Sequence, residues 1–152
     1  MRLKIISNLW IAIYFSLLSL LFPCVATADG LILTQAPKQA IALSPYYQVH
    51  KDPNHRLSID EILSSQTAVA FQPLTGSHAN LGYKADTYWF KVNIVNESNN
   101  EFQQLLEFDY PLLDDISLYI VDADNKTVTA SYKAGDMYPF EERQFSSPTF
   151  IF

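Results

Sequence analysis

The feature that most constrains the fold is the run of residues 86–96, whose side chains alternate between two faces of an extended chain. One face carries apolar side chains at every second position: Tyr88, Phe90, Val92 and Ile94. A period of two among aromatic and β-branched residues is typical of a strand that covers a core with one face. The sequence therefore predicts a β-strand here, with its Tyr88-to-Ile94 face in the core.

Further short segments of the same kind follow: Phe102–Tyr110, Ile116–Val121, Thr127–Lys133 and Thr149–Phe152. Residues 122–126 are rich in Asp and Asn and predict a hairpin turn. Ser58 and Glu61 have the spacing of a capping box, which predicts one short helix over Ile59–Ser64. This pattern predicts an all-β fold, an antiparallel sandwich or jelly roll with one short helix.

Residues 1–28 contain the three parts of an export signal. Arg2 and Lys4 give a basic start, an apolar run extends over Leu9–Phe22, and small residues 26–28 offer a cleavage site. The apolar run is shorter than the roughly 20 residues that a membrane span needs. This favours a cleaved signal peptide over the alternative, an uncleaved membrane anchor.

After the signal peptide we expect a lead-in over residues 29–40 and one β-sandwich domain over residues 41–152. The sequence stops at Phe150-Ile151-Phe152, inside an apolar strand pattern. An open sheet edge is a liability that complete domains manage. We therefore expect a fragment whose domain is incomplete at the C-terminus.

The cysteine content and the net charge limit the cellular compartment and the partners that this protein is expected to have. The single cysteine, Cys24, lies in the signal segment, so the exported chain has no disulfide, which suits a bacterial periplasm. The formal charge of −6 becomes −8 once Arg2 and Lys4 leave with the signal. An acidic domain without a basic cluster argues against nucleic acid as a partner.

No sequence pattern indicates a cofactor or a metal. His50, His55 and His78 lack metal-ligand spacing, and the sequence contains no phosphate-binding loop. Asp122 and Asp124 resemble the start of a calcium loop, but the required glycine and the final acidic residue are missing. We therefore expect no cofactor and no metal.

Two pairs of residues on predicted strands are candidates for ligand binding. Trp89 with Lys91 could offer an indole platform and a donor to a sugar ring, and the alternative is that Trp89 fills the second layer of the sandwich or packs under a loop. Glu107 and Asp109 share a strand face and lie roughly 7 Å apart by strand geometry. That separation overlaps the spacing of carboxylates in inverting glycosidases, and the alternative is a solvated sheet face.

Arg143 is the fifth candidate. Its guanidinium could donate two parallel hydrogen bonds to a sugar or to a carboxylate ligand. The alternative is a structural ion pair with Asp136, with Glu141 or with an acidic strand residue.

Four ordered segments resemble the periplasmic sensing domain of bacterial seven-transmembrane receptors with diverse intracellular signalling modules (7TMR-DISM, extracellular domain type 2): Leu81–Val92, Leu106–Asp114, Ser117–Tyr119 and Gly135–Arg143. The resemblance covers about Ile41 to Phe152. It implies a jelly roll similar to carbohydrate-binding modules, located in the periplasm at the N-terminus of a receptor. Seven membrane helices would follow, and then a diguanylate cyclase, histidine kinase or phosphatase module. The domain itself would be non-catalytic and would bind a ligand, suspected to be a carbohydrate.

The first hypothesis is therefore a non-catalytic periplasmic sensor domain of a signalling receptor, here without its membrane and output modules. The second is a stand-alone secreted carbohydrate-binding module, whose binding would depend on Trp89. The third is a small glycan-active enzyme, whose turnover would depend on Glu107 or Asp109.

Overall fold

The structure is a computed structural model that describes residues 30–64, 69–74, 86–124 and 126–152. The predicted signal peptide and the Leu81–Tyr83 part of the family-like segments lie outside the described residues. The strands are β1 (Leu31–Leu33), β2 (Gln48–Asp52), β3 (Gln72–Pro73), β4 (Thr87–Lys91), β5 (Ile94–Asn96), β6 (Glu107–Phe108), β7 (Ile116–Val121), β8 (Val128–Ala134) and β9 (Phe150–Ile151). The helical elements are α1 (Ile59–Leu63) and two 3-10 turns, Ser44–Tyr46 and Phe140–Glu142. The regular structure of the described residues is therefore mostly strand with little helix, and the all-β class is confirmed.

The strand predicted over residues 88–95 divides into two strands with different partners. β4 pairs antiparallel with β2, whereas β5 pairs parallel with β1. The change occurs at Asn93, whose carbonyl oxygen accepts a hydrogen bond from the backbone N–H of Leu31 at 2.8 Å. Phe90 is 38% exposed and Ile94 is 53% exposed, so the prediction that this face is fully in the core was wrong.

The strands form four small sheets: β1–β5, β3–β2–β4, β6–β9 and β7–β8. The β7–β8 hairpin is the longest pairing and runs from Ile116 opposite Ala134 to Val121 opposite Val128. Its turn is closed because the backbone N–H of Asp122 donates to the carbonyl oxygen of Thr127 at 2.9 Å. The predicted hairpin turn is thus confirmed.

Helix α1 has the capping box that its sequence predicts. The backbone N–H of Glu61 donates to Ser58 Oγ at 3.3 Å, and the backbone N–H of Ser58 donates to Glu61 Oε2 at 2.8 Å. The Glu61 carboxylate accepts from both the backbone N–H and the hydroxyl of Ser58, and these two hydrogen bonds lower the pKa of Glu61. The capping box also satisfies N–H groups that the helix leaves without intrahelical acceptors.

A small core lies where the β6–β9 pair covers one face of the β7–β8 hairpin. Ile116, Ala134 and Phe150 are buried there, and Phe108 and Phe152 pack against them. Backbone hydrogen bonds of 2.9 Å in both directions between Leu106 and Phe152 extend this pairing by one residue on each strand. β6 itself is shorter than predicted, since only Glu107 and Phe108 of the expected Phe102–Tyr110 strand are in ladder geometry.

The backbone turns directly after β8, and the conformation of this turn requires a glycine at residue 135. Gly135 has a φ of +141°, a conformation that residues with a side chain rarely adopt. A Cβ at this position would overlap the carbonyl of Asp114, which approaches from the segment before β7. The close approach is fixed by hydrogen bonds from the N–H groups of Asp136 and Met137 to Leu113 and Asp114 oxygens at 2.8 and 3.1 Å.

Candidate ligand-binding site

Trp89 lies in β4 opposite His50 and contacts a second sheet. Its ring stacks on Tyr119 of β7, with ring centroids 6.2 Å apart and an interplanar angle of 22°. The indole Nε1 is buried and finds no acceptor among the described residues. Trp89 is therefore half-buried between two sheets, where it contributes apolar packing rather than an open, flat platform.

Lys91 is the last residue of β4 and is exposed opposite Gln48. Trp89 and Lys91 lie on the same face of β4, two positions apart, because side chains alternate along a strand. An ion pair of 2.8 Å between Lys51 Nζ and Asp86 lies towards the other end of the β2–β4 pair. It raises the pKa of Lys51, chiefly through its hydrogen bond to the Asp86 carboxylate.

Glu107 and Asp109 are both exposed to solvent. Glu107 Oε1 accepts a hydrogen bond from Thr149 Oγ1 at 2.7 Å, and Asp109 lies just past the end of β6. The two carboxylates therefore form part of an exposed surface rather than of an enclosed site.

Arg143 is enclosed by its own neighbourhood, with a side chain that is 13% exposed. The guanidinium carbon lies 4.9 Å from the ring centre of Phe140 and 4.5 Å from that of Phe150. One terminal nitrogen donates to the carbonyl oxygen of Ser147 at 2.9 Å, and the other forms an ion pair of 3.4 Å with Asp136. Arg143 thus holds the segment between the second 3-10 turn and β9 in a fixed path.

The candidate residues do not converge on one surface. Trp89 contacts Tyr119 of the hairpin. Arg143 packs on Phe150 of β9, and Phe152, which directly follows β9, contacts Tyr132 of the hairpin. Tyr132 pairs with Leu118, the neighbour of Tyr119 in β7, so the two tyrosines project from opposite faces of the β7–β8 hairpin. Trp89 and Arg143 are therefore separated by the hairpin.

One cleft of about 140 Å³ lies beside Arg143, between β8, β9 and the segment that joins the second 3-10 turn to β9. Its aromatic lining includes Tyr132, Phe145 and Phe152, and its polar lining includes Lys133, Glu142 and Gln144. Of all the residues that line the cleft, only Arg143 is a candidate from the sequence. Tyr132 shares one face of β8 with Ala130 and Ala134, because side chains alternate along a strand.

The histidines have local structural partners. His50 Nδ1 lies 3.0 Å from the carbonyl oxygen of Ala70, and His55 Nδ1 lies 2.6 Å from Thr87 Oγ1, whereas His78 is outside the described residues. Within the ranges that the structure describes, His, Cys, Asp and Glu side chains do not gather in groups of three that could hold a metal ion.

Comparison with known proteins places the chain in a family context. The family model described as 7TMR-DISM extracellular 2 matches residues 44–152. No curated protein and no solved structure matches the chain significantly. Among the described residues, no helix combines the length and the apolar character that a membrane crossing requires.

Proposed function

This chain belongs to the 7TMR-DISM extracellular 2 family, and we propose that it is the periplasmic ligand-sensing domain of a bacterial seven-transmembrane receptor. The observation that carries the proposal is the family match over residues 44–152, which spans most of the chain. The family consists of extracellular sensing domains rather than enzymes. The partner through which a bound ligand acts is then the seven-helix membrane domain of the receptor.

We propose further that the domain is a jelly-roll β-sandwich over residues 41–152. Two observations support a layered arrangement: β6–β9 packs on one face of the β7–β8 hairpin, and the Trp89–Tyr119 stack joins the other face to the sheet that contains β4. Two packed β layers are the architecture that defines a sandwich.

The ligand in this proposal is a carbohydrate, and its candidate contacts from the sequence are Trp89, Lys91, Glu107, Asp109 and Arg143. Half-exposed aromatic rings beside polar donors and acceptors support this ligand class, because sugar rings have apolar faces and polar edges. The described part of the chain presents such a ring at Tyr132, which is 40% exposed and packs against Phe152 on one face of the β7–β8 hairpin.

Export and binding together test the proposed function. The chain expressed in a bacterium is expected in the periplasmic fraction with Asp29 as its new N-terminus, because residues 26–28 offer the cleavage site. The purified protein is expected to be retained on at least one immobilised glycan. A chain that stays in the cytoplasm with Met1 intact, or that no glycan retains, contradicts the proposal.

A further inference from the structure

We infer that two neighbouring loops at one end of the β7–β8 hairpin form a docking surface for a protein face whose centre is apolar and whose rim carries lysine or arginine. The loops are residues 109–115, between β6 and β7, and residues 135–141, which follow β8, and we call them the loop pair. The loop pair shares no residue with the cleft beside Arg143. Its partner does not depend on the ligand that the domain senses, so the inference goes beyond the proposed function.

The two loops lie side by side. The backbone N–H of Met137 donates to the carbonyl oxygen of Asp114 at 3.1 Å. The hydroxyl of Tyr138 donates to the carboxylate of Asp115 at 3.2 Å. Leu112 lies two residues before Asp114, so the exposed side chains of both loops share this end of the hairpin.

The apolar part of the loop pair is a group of three large side chains that project into solvent. Leu112 is 66% exposed, Met137 is 75% exposed and Phe140 is 50% exposed. Single exposed apolar residues are ordinary on a protein surface, whereas a group of them with a polar rim is typical of an interaction site. Methionine and aromatic residues are also enriched in the centres of protein interfaces.

The loop pair is held in shape before a partner arrives. Gly135 allows the tight turn after β8, and its φ of +141° fixes the start of the second loop. The guanidinium carbon of Arg143 lies 4.9 Å from the ring centre of Phe140 and supports the ring from behind. A surface that needs no rearrangement loses less entropy on binding.

The rim of the loop pair is acidic. Neither loop contains a lysine or an arginine, and the acidic residues of the two loops are Asp109, Asp114, Asp115, Asp136 and Glu141. Among the described residues, the only ion pair of this set joins Asp136 to Arg143 at 3.4 Å. The rim therefore keeps a net negative charge, which attracts a basic partner and repels an acidic one.

This charge decides which occupant fits the apolar centre. A second copy of the chain would bring a second acidic rim against the first, and an anionic lipid surface would also present like charge. A protein face with lysine or arginine around apolar side chains complements both the centre and the rim of the loop pair.

The strand that lies nearest to the loop pair runs away from it. β6 ends at Phe108, just before the first loop. β9 pairs antiparallel with β6, from Phe150 opposite Phe108 to Phe152, which exchanges hydrogen bonds with Leu106. β9 therefore covers the face of the hairpin and leaves the loop pair open.

Fluorescence anisotropy with the purified full chain tests the inference, and three labelled amphipathic peptides of one common pattern are the probes. The first combines leucine with lysine, the second leucine with glutamate, and the third serine with lysine. We expect the leucine/lysine peptide to bind saturably. We expect the other two to bind about tenfold more weakly or not at all, because each lacks either the basic or the apolar half of the complementary face.

Substitutions in the apolar centre locate the binding. Leu112→Ser and Met137→Ser are expected to weaken binding of the leucine/lysine peptide about tenfold. Both side chains are exposed, so the urea midpoints of these variants should match that of the wild type. The matched controls are Leu105→Ser and Ile32→Ser, 65% and 55% exposed outside the loop pair, and they are expected to bind as the wild type does.

Substitutions in the rim test the charge. The double variant Asp114→Asn with Glu141→Gln is expected to weaken the same peptide severalfold and to make its binding less sensitive to salt. The matched control is Glu97→Gln with Glu101→Gln, which removes two exposed carboxylates outside the loop pair.

An NMR shift map of the labelled wild-type chain does not depend on the variants. The bound leucine/lysine peptide should shift the amide signals of residues 110–115 and 135–141. No binding of this peptide, shifts confined to other residues, or equal binding by Met137→Ser would overturn the inference. Self-association in sedimentation equilibrium, or binding to phosphatidylcholine vesicles, would also overturn it if Met137→Ser abolished either one. None of these results depends on saccharide binding, so the proposed function would stand.

Discussion

At the scale of single residues, Asp52 shows how one carboxylate organises a turn. It ends β2, is 5% exposed and accepts a hydrogen bond from the backbone N–H of Leu57 at 2.9 Å. That bond, with further backbone hydrogen bonds from Asn54 and Arg56, holds the pKa of Asp52 below its ordinary value. The charged carboxylate therefore stabilises the path from β2 to the start of α1.

The lowered pKa of Asp52 predicts a defined dependence of stability on pH. Because the pKa is lower in the folded than in the unfolded chain, the contribution is complete above the unfolded value of about 4 and is lost as pH falls through the folded value. Asp52→Asn is expected to lower the urea midpoint at pH 7 and to reduce the loss of stability between pH 5 and acid conditions.

Asp124→Asn is the control for Asp52→Asn, because Asp124 lies exposed in the β7–β8 turn. Urea unfolding followed by circular dichroism across pH measures both variants. An Asp52→Asn variant whose stability follows the wild-type pH curve would show that the carboxylate does not hold the turn.

At the scale of secondary-structure elements, short-range sequence motifs predict the structure well. The position at which a strand changes its partner is not visible in the sequence. The capping box of α1 and the Asp/Asn-rich turn of the hairpin are contacts within a few residues, so the sequence contains them in full. The break between β4 and β5 is different in kind, because β1 pairs with β5 from about 60 residues away. Alternation sets the face of each side chain but does not say where the partner strand changes.

The same difference between short-range and long-range contacts decides which parts of the site can be predicted from the sequence. Arg143 is recognisable in the sequence as a cation in an acidic loop, and the ion pair with Asp136 that the sequence allows is present in the structure. The aromatic lining of the cleft comes from β8, β9 and the connecting segment, which meet only in the folded chain. Tyr132, Phe145 and Phe152 therefore could not be grouped from sequence spacing.

Arg143 also predicts how the segment before β9 responds to substitution. Arg143→Lys keeps the positive charge but loses the flat stacking on Phe140 and Phe150 and the paired donors to Ser147 and Asp136. We expect the free energy of unfolding to fall by about 1–3 kcal/mol.

The control for Arg143→Lys is Arg56→Lys, an exposed position at which the change should have little effect. Urea titration of both variants against the wild type measures the difference. Equal midpoints for Arg143→Lys and the wild type would mean that the guanidinium does not hold this segment.

At the scale of the whole molecule, the chain is an acidic, β-rich domain of a family that faces the outside of the cell. Its formal net charge of −6 at pH 7 disfavours contact with anionic lipid surfaces and with nucleic acid through like-charge repulsion.

The most direct measurement of the central claim is an NMR titration of the labelled full chain with saccharides, with chromatography of each saccharide afterwards. We predict saturable chemical-shift changes and saccharides that are recovered unchanged, because a sensing domain binds its ligand without converting it. Conversion of a saccharide that is lost in Glu107→Gln or Asp109→Asn would contradict the account, and so would the absence of any saturable shift across the saccharides tested.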